Sequence, residues 1–224
     1  MADIRRDPAD LAALHAFGVR NLPVLARGSE FVFGQQLADV ARFVGVTLEV
    51  HVPLAPEVLM QRWTAILRST QLLCEQLPPQ AIGEPPIEGR PGTLGELAWH
   101  VFGIGDGFIE CVEGREIDWV GVSMRFPAGG VPEGRIARAY GDGVIGRLEG
   151  WWADADPAKR SGAGEVTTPQ GRVGLHAFLE RQTWHSGQHA RQLADVIERH
   201  GGKADWPARD RELQGLPMPV AVWG

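Results

Sequence analysis

Between Pro56 and Leu77 the chain carries one unbroken apolar stripe, in which Leu59, Trp63, Ile66, Leu67, Thr70, Leu73 and Leu77 recur at helical steps. At ~3.6 residues per turn these positions share a face, so the segment reads as an amphipathic helix. Pro56 stands in the first turn, where proline is tolerated, and Pro78-Pro79 ends the helix because proline lacks the N–H that the next turn needs. A helix that is apolar on one side must bury that side against partners.

Three further segments supply them. "TLGELAWHVFGIGDGFIECVEG" opens with a capping box, Thr93 as N-cap and Glu96 three residues on. "PEGRIARAYGDGVIGRLEGWWADA" reads as a third helix, and a final one covers 172–200 before the stop signal Gly201-Gly202. The connections are a Pro- and Gly-rich loop, "QAIGEPPIEGRPG", and a polar crossover, "DPAKRSGAGEVTTPQG". Four such helices predict a mainly α fold, a four-helix up-down bundle over residues 56–202. The tail, 203–224, contains Pro207, Pro217 and Pro219 and is expected to lie irregularly over the surface.

Residues 1–46 have a different grammar, and 47–55 read as a linker. Asp7-Pro8 starts a helix with Leu11 and Leu14 on one side, and "LPVLARGSEFVFG" reads as two strands around the turn Arg27-Gly28-Ser29. "QQLADVARFVGV" is helical again, with Leu37, Val40, Ala41 and Val44 on one face. This small α-β-β-α segment is too small to be stable alone, so it is expected to dock on the bundle or on a second subunit.

Composition narrows the function. The 224 residues are 44% hydrophobic, enough for a real core, and the net charge of -6 argues against a nucleic-acid binder that neutralises phosphates. No apolar run approaches the ~20 residues of a membrane span, and "MADIRRDPADLA" lacks the apolar core of a secretory signal. A cytoplasmic protein is expected. Cys74 and Cys111 are too few and too far apart for a disulfide framework or a CxxC metal knot, and both read as buried structural thiols.

The histidines carry the chemistry. In "TWHSGQHARQLADVI", His185 and His189 sit about 40° apart, one turn along the helix, so both rings can reach one point. Phe178, Gln192 and Val196 lie on the same stripe, which therefore faces the core. In the second helix His100 is in line with Leu97, Ile104 and Gly107. Each imidazole could be a core histidine bonded to a backbone carbonyl. A buried polar ring without a strong partner costs about 1–3 kcal/mol, and a cation shared by three rings offsets that cost. Three neutral imidazoles with open positions suit zinc, nickel or ferrous iron. Arg181, Gln182, Gln188 and Gln192 flank the pair, and Gln182 and Gln192 are candidates to orient the rings. Gly103 and Gly107 admit either close helix packing or a cavity beside the metal.

"LAWHVFGIGDGFIE" and "TWHSGQHARQLADVI" together resemble the DinB/YfiT-like superfamily of metal-binding four-helix bundles, over residues 55–200. The resemblance implies that His100, His185 and His189 hold one divalent ion. It also implies a thiol-dependent S-transferase or isomerase, or a hydrolase, acting on a small molecule. Residues 7–46 resemble the C-terminal half of a glutaredoxin-type thioredoxin fold, with the first strand and the CxxC helix missing. Leu22 precedes Pro23 where that family has its cis-proline, so the resemblance implies a thiol-binding edge for glutathione or a similar thiol, and a cis Pro23. The competing reading is a non-catalytic, metal-stabilised scaffold or binding module; a homodimer suits either.

Overall fold

The computed structural model describes residues 12, 14–15, 17–18, 24–34, 37–47, 51–89, 91–115, 125, 134–168 and 171–223. The chain divides into two compact units, Met1–His51 and Val52–Gly224.

In the first unit, strands β1 (Val24–Arg27) and β2 (Glu30–Phe33) pair antiparallel, with Val24 opposite Phe33 and Arg27 opposite Glu30. The two-residue turn needs a left-handed residue, and Gly28 supplies it at φ +63°. Helix α1 (Leu37–Val44) follows and packs on β2. Ala41 is buried as its position predicts, whereas Val44, expected on the same face, is 48% exposed because the helix ends there. The helix expected from Asp7 falls mostly outside the described residues, of which Ala12, Leu14 and His15 are helical.

The second unit is the expected four-helix bundle: α2 (Pro56–Gln76), α3 (Leu94–Val112), α4 (Gly134–Asp154) and, after the short α5 (Pro157–Arg160), α6 (Leu175–Arg199). Its helices run up, down, down and up. Trp63 of α2 meets Ser186 of α6, while the chain just before α2 meets His176 at the start of α6, so these two run the same way. Trp99 meets Tyr140 and Phe108 meets Trp151, so α3 and α4 are also parallel. Each of α2 and α3 packs on both α4 and α6, which places α2 and α3 on the diagonal.

The stripe on α2 is buried throughout, from Leu59 and Trp63 to Leu73 and Leu77. Phe108 organises the centre, edge-on to Trp63 at 5.1 Å and stacked on Phe178 at 5.3 Å, geometries that add about 0.5–1.5 kcal/mol per pair beyond area burial. The Trp63 indole N–H donates to Ser186 Oγ at 2.9 Å, so the tryptophan is buried without an orphaned donor.

Two segments differ from expectation. The crossover contains a hairpin, β3 (Glu165–Thr168) with β4 (Gly171–Gly174), so α6 begins at Leu175 rather than 172. Val166 and Thr168 point inward from it. The tail is no loose covering either. It forms α7 (Arg209–Leu213) and buries Trp206 and Leu216 in the bundle core. Glu212, 5% exposed, accepts hydrogen bonds from Trp206 Nε1 at 2.7 Å and from Ser69 Oγ.

The α3–α4 contact is close because Gly105 faces Val144; a Cβ at Gly105 would lie 2.4 Å from Val144 Cγ1. A β-branched side chain cannot swing aside, so Gly105→Ala is expected to destabilise by about 1–3 kcal/mol. Gly146, in the interior of α4 with nothing within 4 Å of its built Cβ, is the control. Gly146→Ala is expected to stabilise by about 0.5–1 kcal/mol. Urea denaturation of the two variants checks both signs.

Candidate metal centre

The capping box is present: Glu96 N–H donates to Thr93 Oγ1 at 3.1 Å and Thr93 N–H to Glu96 Oε2 at 2.8 Å. It fixes the start of α3 less than two turns before His100. Trp99, the preceding residue, is held by stacking on Tyr140 at 4.1 Å and by donating from Nε1 to the Arg125 carbonyl. The Tyr140 hydroxyl donates in turn to Asp106, which also pairs with Arg147.

From α6, His185 and His189 face His100. The ring centroids lie 4.7 Å apart within α6, and 5.6 and 5.1 Å from the ring of His100. One ring nitrogen from each residue lies within 4.8 Å of the others. His185 Nε2 and His189 Nε2 are 3.0 Å apart.

Hydrogen bonding assigns the tautomer of His189. Gln192 Nε2 donates to the Val222 carbonyl at 2.9 Å, so Gln192 Oε1 is the end that faces His189 Nδ1 at 2.7 Å. Nδ1 must then carry the proton, which leaves a lone pair on Nε2 pointing into the cluster. His185 is held well below its ordinary pKa, first by burial, then by His189, His100 and Arg181. It is therefore neutral at physiological pH, the state that ligates. The donor set fits a divalent ion of borderline softness: three imidazoles with no carboxylate among them.

The profile of the DinB superfamily matches residues 62–193, more than half of the chain and all three histidines. The chain belongs to the DinB superfamily. No curated protein and no solved structure gives a significant match. Among the described residues, no helix of this DinB chain is long and apolar enough to cross a membrane.

The other sequence candidates scatter. Gln188 turns away from the cluster and donates to the Ala221 and Val222 carbonyls. Gln182 is fully buried, and neither end of its amide has a partner among the described residues. Gly103 and Gly107 are buried within α3. His176 Nε2 lies 2.8 Å from the Leu54 carbonyl and His200 Nδ1 2.9 Å from that of Val196, each an ordinary backbone pairing. Leu22 and Pro23 lie outside the described residues, and with them the expected cis bond. Sequence reasoning missed the strap formed by residues 219–223. Its carbonyls receive Arg191, Gln188 and Gln192, and its Trp223 donates to Asp195 at 2.6 Å. No local pattern announces it, since every partner is about thirty residues away along the chain.

A cleft of about 750 Å³, lined by Cys111, Trp151, Lys159 and Leu175 among others, opens at the far end of the bundle. Cys111 is about 16 Å along α3 from His100, so that cleft is no part of the cluster.

Burial pushes both thiols up to about 12, with Glu75 adding to the effect on Cys74 and Glu110 on Cys111. The native protein is expected to show no thiol reacting with a disulfide reagent at pH 8, and two after denaturation. Because the folded values lie above the ordinary 9.0, the thiol contribution to stability is intact below pH 9 and lost toward pH 12. A pH series of urea midpoints on wild type and Cys74→Ala checks this; the variant should lose less across that window.

Proposed function

We propose that this DinB protein is a metal-dependent enzyme in which His100, His185 and His189 hold one divalent ion, zinc or nickel in preference to iron. The observation that carries the reading is the convergence of three ring nitrogens within 4.8 Å, with the tautomer of His189 set by Gln192. Bringing three imidazoles this close desolvates them, and a shared divalent ion offsets that cost. Held there, such an ion would supply the means to lower the pKa of a water or thiol and make it a nucleophile near neutral pH.

The chain's own residues do the rest. Gln192 keeps the His189 lone pair aimed inward, and the Val222 carbonyl keeps Gln192 from flipping. Trp99, clamped between Tyr140 and the Arg125 carbonyl, holds the α3 backbone beside His100. The reaction class that suits this site is transfer or isomerisation with a low-molecular-weight thiol such as glutathione, or hydrolysis, on a small molecule. The first unit's strand–strand–helix order is compatible with a glutaredoxin-like remnant. In that remnant Leu22 and Pro23 are the residues we assign to thiol contact. We further propose a cytoplasmic location and a homodimer.

Metal analysis of purified protein tests the core of the proposal. One ion per chain is expected in wild type and at least a tenfold loss in His189→Ala; equal content in both would remove the assignment. Gln192→Leu is expected to keep the stoichiometry but weaken affinity by about 10–100-fold, the usual cost of losing an orienting partner. Thermal unfolding of metal-loaded protein with millimolar glutathione tests the thiol, and no shift would leave hydrolysis as the reading.

A further inference from the structure

Next to the histidines lies a second set of polar groups that the metal reading does not use. Arg181 precedes His185 by one turn and lies on the same stripe of α6, about 6 Å along the axis. It is half-buried and makes no hydrogen bond or ion pair with a described residue. The guanidinium is lowered from its usual pKa by desolvation, and its charge is felt at His185. Gln182, within about 20° of His189 on the helical wheel, is completely buried with both Oε1 and Nε2 unpartnered. His185 Nδ1 is the third buried orphan on this helix.

A desolvated cation without a counter-ion, beside a site that would hold a second cation, is electrostatically incomplete. It lacks a negative charge. Arg offers a planar fork of donors that fits a carboxylate with two parallel bonds. Gln182 Nε2 adds one more donor, while Gln182 Oε1 can only accept, so the same ligand must bring an N–H or O–H of its own. We propose that Arg181 and Gln182 form a docking pair for a small carboxylate substrate that also carries a hydrogen-bond donor, such as a hydroxy acid or an amide-bearing thiol acid. The pair rests on the metal-enzyme reading for its purpose, because it would hold the acid group while another atom reaches the metal.

Among the described residues, no acid pairs with Arg181. Glu110 is engaged by Arg125, and Asp106 by Tyr140 and Arg147. Asp195 is taken by Arg199 and Trp223. These acids are committed elsewhere, and the buried Glu180 beside Arg181 has an interaction of its own that does not involve Arg181, which leaves the anion to come from the ligand.

The experiment is calorimetric titration of metal-loaded wild type with glycolate and lactate, each beside its primary amide. The acids are expected to bind at least tenfold more tightly than the amides, and Arg181→Gln to abolish that preference while retaining one metal per chain. Arg181→Lys keeps charge without the fork and is expected to retain part of it. Equal binding of acid and amide by wild type would overturn the proposal without needing any variant to fold. So would acid binding undiminished in Arg181→Gln, which would mean that the carboxylate sits on the metal instead. If wild type holds no stoichiometric metal yet still prefers the acids through Arg181, the docking pair stands and the metal reading falls.

Discussion

The histidine cluster depends on the seam between α3 and α6, and that seam is keyed by one aromatic stack. Phe108 and Phe178 lie 5.3 Å apart and nearly parallel. Counting eight residues back along α3 from Phe108 reaches His100; counting eight forward along α6 from Phe178 reaches Ser186, between the two motif histidines. In antiparallel helices those steps cover the same axial distance, about 12 Å. The stack therefore sets the register that brings the three rings together. A slip by one turn, about 5.4 Å, would leave His100 facing the wrong level of α6.

That seam is stiffened from behind. Trp63 of α2 is edge-on to Phe108 and donates to Ser186 of α6, so the diagonal helix touches both partners of the seam. On α4, Val144 fills the space that Gly105 leaves open, which draws α4 against a second side of α3. Protein interiors packed at crystalline density resist small displacements. Preorganised ligand geometry follows from that resistance, with apolar contacts one or two turns away fixing where the polar groups point.

Much of this was legible in the sequence, and the reasons it was legible also explain what was not. The α2 stripe, the Thr93–Glu96 box and the His185–His189 spacing are local patterns whose meaning is set by helix geometry alone. The β3–β4 hairpin was not legible because its strands are four residues each and rich in glycine and threonine, with too few apolar positions to alternate. The close approach of α4 at Gly105 was not legible because nothing in the local pattern around Gly105 says which helix will lie against it. The tail misled for a different reason. Three prolines argue against regular structure, but they say nothing about whether an irregular segment is bound.

The bound tail changes what α6 is. Its residues facing the strap, Gln188, Arg191, Gln192 and Asp195, are polar groups that a bare bundle surface would simply show to water. Here they receive carbonyls and an indole N–H, which gives each a preferred orientation, and Gln188 and Gln192 are buried. Gln192 belongs to this set and to the cluster at once. An amide in water exchanges partners freely; one pinned by a carbonyl on one end presents a fixed acceptor on the other. The last segment of the chain thus reaches a histidine ring through one glutamine, and the protonation pattern of that ring is decided by a backbone carbonyl 33 residues further along, at Val222.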